Sequence, residues 1–248
     1  MINNNRTRLV GGRVETYDFV TQETVNSNAP IFFQDDFIGG RGNAFPTTAT
    51  AGEPWVKKIV GAAPPTVNAV ANAAGGQVSM ALTSTSEKQD AVLYFADNLC
   101  FDVTKNLVFE AVAQLSVLPS AAGVQAVFGL QSAWIDGPDN ASFYLGFGAL
   151  ANGTILMRSY DGTTRSAVST GITFSTTDQH VCRIDARNVA DIRFFIDGVD
   201  VTGAIGTISF AATGASAVLQ PYASMYKPSG TGVGTLTLDK VDCMVNRS

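Results

Sequence analysis

The stretch that most constrains this chain is HVCRIDARNVADIRFFIDGVDV, His180 to Val201. Cys182, Ile184 and Ala186 alternate with Arg183, Asp185 and Arg187, the period-two pattern of a strand with one buried face. Ile192, Phe194 and Ile196 repeat it. Asp197-Gly198 then marks a two-residue hairpin, because a type I′ turn needs positive φ at both central residues. Val199 and Val201 resume on the same face. One register keeps the apolar residues together: Ala186 opposite Ile192, Ile184 opposite Phe194, and Cys182 opposite Ile196, with residues 187–191 as the loop. A slip of one residue brings Arg183 or Asp185 into the core. The outer face then carries Asp185 opposite Arg193 and Phe195 opposite Asp200.

The remainder from Val78 onward reads alike. VSMALTS, AVLYFAD, LVFEAVAQLSV, VQAVFGLQ, SFYLGFGAL, TILMRSYD, AVLQPYASMYK and GTLTLDKVDCMVN are short β-rich runs, punctuated by Asn152-Gly153 and Asp161-Gly162. No useful 3.6-residue apolar stripe interrupts them, so the expectation is an all-β antiparallel sandwich. At 248 residues and 46% hydrophobic content the chain can bury a sizeable core. Its net charge of -5, with 16 scattered basic residues, leaves no electrostatic footprint for nucleic acid. No run approaches the roughly 18 apolar residues of a membrane span, and the amino terminus has no apolar signal region, so no membrane partner is expected. Cys100, Cys182 and Cys243, odd in number and all in predicted strands, read as reduced, buried thiols.

Residues 1–33 differ from residues 34–248. They are polar, rich in Asn and Thr, and read as an extended arm outside the core, mobile by itself. With a partner, RLVGGRVETYDFV can add a strand to an exposed sheet edge, Leu9, Val10, Val14, Tyr17 and Phe19 filling pockets while Arg6, Arg8 and Arg13 meet an acidic surface. Two segments rich in Gly, Pro and Ala, GGRGNAFPTTATAGEPW and GAAPPTVNAVANAAGG, read as long loops.

Catalytic patterns are sparse. The five glutamates, Glu15, Glu23, Glu53, Glu87 and Glu110, are far apart. Asp35 and Asp36 are neighbours whose side chains would point to opposite faces of a strand, so they mark a strand start and not a dyad. The single histidine, His180, opens a strand with no nucleophile elbow nearby, and Trp55 reads as a plug over one sheet. In WIDGPDN, an exposed Trp134 can stack on a sugar ring while Asp136, Asp139 and Asn140 bind hydroxyls or Ca²⁺. The plain alternative is a solvated turn with Trp134 tucked onto the sheet. No cofactor is expected.

DDF at Asp35 to Phe37, DAVLYFADNLCFDV before LVFEAVAQLSV, IRFFIDGVDV, LQPYASMYK and the closing LTLDKVDCMV together resemble the concanavalin A-like lectin and glucanase superfamily, including laminin G-like domains. The resemblance implies a jelly roll of two curved sheets whose last strand returns beside the first. The glucanases' acidic strand motif, Glu-x-Asp-x-x-Glu, is missing here, which implies a chain that is not an enzyme. TSTSEKQDAVLYFADN and HVCRIDARNVADIRFFIDG look most like lectin-like virion proteins of tailed bacteriophages. That implies a capsid decoration or cement protein on the virion surface, made in the host cytoplasm. Its implied partners are the major capsid protein and neighbouring copies in a homotrimer, packed through the small-residue loops between Gly39 and Gly76. The alternative is a carbohydrate-binding module on a phage tail or virion surface, with surface glycans as partners.

Overall fold

The computed structural model describes residues 5–10, 13–18, 20, 30–38, 45–203 and 206–247. Strands β1 (Asn5–Val10) and β2 (Arg13–Asp18) pair with each other as a separate two-stranded antiparallel sheet, Arg8 opposite Glu15 and Leu9 opposite Val14. Both strands fall within residues 1–33, expected to be an extended arm. Val10 pairs with Arg13.

Two eight-stranded antiparallel sheets face each other. The front sheet runs β13 (Arg165–Thr173), β12 (Thr154–Tyr160), β11 (Tyr144–Ala149), β10 (Gln125–Gln131), β17 (Val218–Lys227), β7 (Gln89–Tyr94) and β4 (Val56–Val60), with β8 (Phe101–Asp102) on the end of β17. The back sheet runs β16 (Val199–Asp200), β15 (Arg193–Ile196), β14 (His180–Ala186), β9 (Leu107–Val117), β18 (Thr235–Val245), β6 (Val78–Ala81) and β5 (Thr66–Ala69), with β3 (Ile31–Asp35) also on β18. The last strand thus returns beside the first strand of the sandwich, as in a jelly roll. No α-helix occurs among the described residues.

Period-two alternation decides what lies between the sheets. Phe109, Ile184 and Phe194 from the back meet Leu93, Phe128, Phe147 and Met157 from the front. Phe147 and Phe194 touch edge to face across the gap, their centroids 5.2 Å apart. Each such ring removed from water contributes roughly 1.5–3 kcal/mol. At one end Trp55 is buried against Phe33, Phe37 and Phe95, and its Nε1–H donates to Asp35 Oδ2 at 2.9 Å. Asp35 ends β3 where the sequence suggested a strand start.

The central hairpin has its expected register, Cys182 with Ile196, Ile184 with Phe194 and Asp185 with Arg193. Asp197 and Gly198 both have positive φ, 51° and 79°. Two details differ. Ile192 is buried but bridges Ile208, not Ala186. Val199 is 63% exposed although it pairs with buried Ile196, because β16 is a two-residue strand at the sheet edge with no neighbour on its far side. β5 lies inside a stretch expected to be loop, and Cys100 sits before β8 and not in a strand, its N–H on Leu219 O. All three cysteines are free thiols, Cys182 and Cys243 buried and Cys100 partly so.

Candidate functional site

The outer face of the front sheet is built from strand positions that alternate with the core. Register sets Val56, Tyr94, Tyr222, Gly129, Gly146 and Arg158 in one row across six strands. A neighbouring row holds Gln220, Gln131, Tyr144, Tyr160 and Arg165; on the other side lie Ser224 and Val92, then Asp90 and Tyr226. Five of the chain's six tyrosines, Tyr94, Tyr144, Tyr160, Tyr222 and Tyr226, therefore share this face. Gly129 and Gly146 make a trough between them. Neither tolerates a side chain: a Cβ on Gly129 would stand 2.5 Å from Gly146 Cα, and one on Gly146 2.5 Å from Phe128 O.

Asp90 is the buried acid of this face. Its carboxylate accepts hydrogen bonds from Ser224 Oγ and from Trp134 Nε1 at 3.3 Å. Burial pushes its pKa up to about 7 against the lowering effect of those two donors. Burial, then the Asp90 charge, also raises the Tyr222 phenol well above its ordinary value. Tyr222 Oη and Gln131 Nε2 are buried without a well-formed hydrogen bond, although Ser224 and Gln131 both stand close enough to Tyr222 to hold its pKa down against burial. Both line the trough with Val127, Tyr144 and Arg158, around a recess of about 10 Å³, room for one oxygen atom.

The loop between β10 and β11 folds over this face and carries the residues singled out in WIDGPDN. Trp134 is half buried: Lys58 Nζ lies 3.8 Å from its ring centroid, and its backbone N–H donates to Asp97 Oδ1 at 2.6 Å. Its indole also lines an open groove of about 380 Å³ with Leu99, Ile135, Phe143 and Val218. Asp136 pairs with Lys88 at 2.5 Å, and Asn140 Nδ2 donates to the Asp136 carbonyl at 2.7 Å. Asp139 pairs with Arg158 and accepts from Gln125 Nε2 at 3.0 Å. The acids of this loop are thus drawn to separate cations on the sheet. No group of three His, Cys, Asp or Glu side chains among the described residues is placed to hold a metal.

Beyond Arg158 the face becomes a ladder of rings and guanidinium groups. Arg158 lies 4.7 Å from the Tyr144 centroid, and Arg165 lies 4.6 Å from that of Tyr160 and 5.9 Å from that of Tyr144. Sequence reasoning missed Asp90, Gln131, Tyr144, Arg158, Arg165 and Tyr222. The available signal was alternation: Tyr144-Gly146-Gly148, Arg158-Tyr160 and Tyr222-Ser224-Tyr226 each put polar or ring-bearing residues on every second position.

The other flagged residues lie elsewhere. Arg6, Arg8, Leu9 and Val10 are in β1, Arg13, Val14 and Tyr17 in β2, and Phe19 falls outside the described residues. His180 Nδ1 pairs with Asp197 Oδ2 at 2.7 Å. Glu110, on the outer face of the back sheet, acquires a cross-strand acid, Asp242, with Lys240 Nζ 3.9 Å from Glu110 and 2.5 Å from Asp242.

No protein-family model and no curated protein matches the chain. Solved structures do. A protein of unknown function from Shewanella oneidensis MR-1 superposes with a TM-score of 0.59 at 11% identity, over 90% of this chain and 89% of that one. A β-1,3-glucanase from Mycobacterium marinum gives 0.55 at 11% identity over 88% and 100%. The laminarinase from Rhodothermus marinus gives 0.55 at 14% identity over 88% and 99%. At such identities the likeness concerns fold, a concanavalin A-like jelly-roll sandwich.

Proposed function

We propose that this chain is a carbohydrate-binding jelly roll whose ligand lies on the outer face of the front sheet, under and beside the Trp134 loop. One observation carries the reading: Trp134 and five of the six tyrosines gather on one sheet face around a glycine-floored trough. The part-exposed rings of Trp134, Tyr160 and Tyr226 offer flat apolar surface to the C–H faces of a sugar, while Gln131, Ser224, Tyr222 and Arg158 lie buried beneath them as the polar floor of the trough. The fold neighbours named as a β-1,3-glucanase and a laminarinase support a saccharide ligand by analogy of fold.

Binding without hydrolysis fits the acids of this face. Hydrolysis of the two-carboxylate kind needs an acid and a base or nucleophile flanking one glycosidic bond. Here Asp90 is buried beneath the indole, and Asp136 and Asp139 are each engaged by a cation. Isothermal titration of the full chain against a panel of oligosaccharides should find a ligand, and Trp134→Ala should weaken it by about tenfold, the loss of one stacking contact. Reducing sugar released from laminarin, and abolished in Asp90→Asn, would make the chain a hydrolase instead.

A second reading, a virion structural protein attached through its amino-terminal segment, is favoured by the hairpin β1–β2, a sheet of its own with edges paired to neither sandwich sheet. Such edges accept a partner strand. Mass spectrometry detecting the chain in purified virions supports this reading; a chain found only free of particles counts against it.

A further inference from the structure

The cations of the front face are distributed unlike those of the back. Arg158 is buried, its side chain 7% exposed, and its carboxylate partner is Asp139, whose side chain is 54% exposed on the covering loop. A buried guanidinium without an anion is costly, so a loop acid seated there satisfies it in the resting protein. Arg165 is exposed and held against Tyr160 and Tyr144, with no acid in ion-pairing range among the described residues. Stacking fixes the plane of its guanidinium and leaves its N–H edges for a ligand. In the trough beside Arg158, Gln131 Nε2 and Tyr222 Oη are neighbouring polar groups without a well-formed hydrogen bond, both able to donate. In a chain of net charge -5, this end of the face thus gathers two guanidinium groups and two buried polar groups without a well-formed hydrogen bond, its acids being Asp139 on Arg158 and Asp90 buried beyond Tyr222.

We infer that the saccharide bound here is acidic, a uronate-type sugar whose carboxylate replaces Asp139 on Arg158. Its ring lies along the part-exposed Tyr160, and Arg165 contacts the same or the next acid group. The planar carboxylate of Asp139 already demonstrates the match, since guanidinium and carboxylate pair edge to edge. The recess between Gln131 and Tyr222 has room for one of the ligand's oxygens. This inference rests on the carbohydrate reading and adds the class of sugar.

The test uses the full chain titrated with polygalacturonate, alginate, heparin and neutral laminarin, at low and at physiological salt. Binding to at least one of the two polyuronates is expected. Arg165→Gln, an exposed change on an edge strand, should weaken that binding about tenfold. Asp139→Asn should strengthen it several-fold by removing the competing acid, and should lower the melting temperature because buried Arg158 loses its anion, so a native circular dichroism spectrum at the assay temperature is the control for folding. Weaker binding in Asp139→Asn, or none lost in Arg165→Gln, overturns the exchange of acids on Arg158. Binding to laminarin alone overturns the acidic class and leaves the carbohydrate reading standing, whereas heparin alone overturns the carboxylate assignment. Failure with all four, together with failure across the oligosaccharide panel, removes both readings.

Discussion

The two outer faces of the sandwich share one core and one alternating pattern, yet they use their polar residues in opposite ways. On the back sheet charges settle with each other: Asp185 with Arg187, Arg193 with Asp191 and Asp200, Lys240 with Asp242. Its unpartnered atoms, Arg183 Nε and Asp242 Oδ1, belong to side chains otherwise engaged, Arg183 over the Phe195 ring and Asp242 by Lys240. On the front sheet a carboxyl is buried, cations lie on rings, and donors point into a trough. A face that satisfies itself is a solvated wall, whereas a face that leaves donors and stacked cations in place is prepared for something else. The hairpin from His180 to Val201 belongs to the wall.

The sharpest way to break this comparison is at the glycines. Gly129→Ala forces a Cβ into the backbone of β11 at a positive φ of 145° and should destabilise the fold by about 3 kcal/mol in chemical denaturation. Gly198→Ala, at the back-sheet hairpin tip, meets nothing within 4 Å and bears only the strain of φ 79°, about 1 kcal/mol. Equal losses would mean that the trough is no more tightly built than a surface turn.

Next comes pH. The pKa of Asp90 is raised on folding, from 3.8 to about 7, so the native state binds the extra proton between those values. Its contribution to stability is fully present below the unfolded value and is lost as pH rises through about 7. Asp90→Asn should therefore match the wild type near pH 4 and exceed it by about 4 kcal/mol at pH 8. Asp185 on the back face has the opposite sign. Burial pushes its carboxyl up, but the Arg187 side chain and backbone N–H outweigh that and hold it below its ordinary value. The stability it contributes is present at neutral pH and lost as pH falls through the native pKa. Asp185→Asn should thus cost under about 1 kcal/mol at pH 7 and nothing at pH 2. Melting curves across pH for both variants check the pair of signs.

The smallest effect distinguishes the faces by binding. Arg193→Gln on the back should leave saccharide titrations unchanged, while Lys58→Gln, which removes the ammonium from over the Trp134 ring, should alter them several-fold. An Arg193 effect of equal size would place the ligand on the wrong sheet.

How much of this was legible in the sequence follows from the range of each signal. The hairpin was readable because its pattern is local: eight apolar positions, one turn dipeptide, one register. The strong strands β9, β10, β17 and β18 were readable for the same reason. β13 was not, since RSAVSTGIT is a mostly polar edge strand whose residues alternate between exposed and half buried. β5 was hidden by its Pro- and Ala-rich flanks. The trough was not legible at all as a motif, because Asp90, Gln131, Tyr144, Arg158 and Tyr222 come from five strands and meet only through cross-strand register.

Both sheets take an interior strand from near the carboxyl end, β17 between β10 and β7 in front and β18 between β9 and β6 behind. Synthesis runs from the amino terminus, so neither sheet closes until those strands leave the ribosome. Until then β10 and β7 present facing unpaired edges and the aromatic surface has no middle. The nascent sandwich therefore keeps two open seams until β17 and β18 emerge, and long-range pairing of this kind is slow and exposed to aggregation. A premature stop before Val218 removes both interior strands at once and leaves two half-sheets with no shared core to hold them.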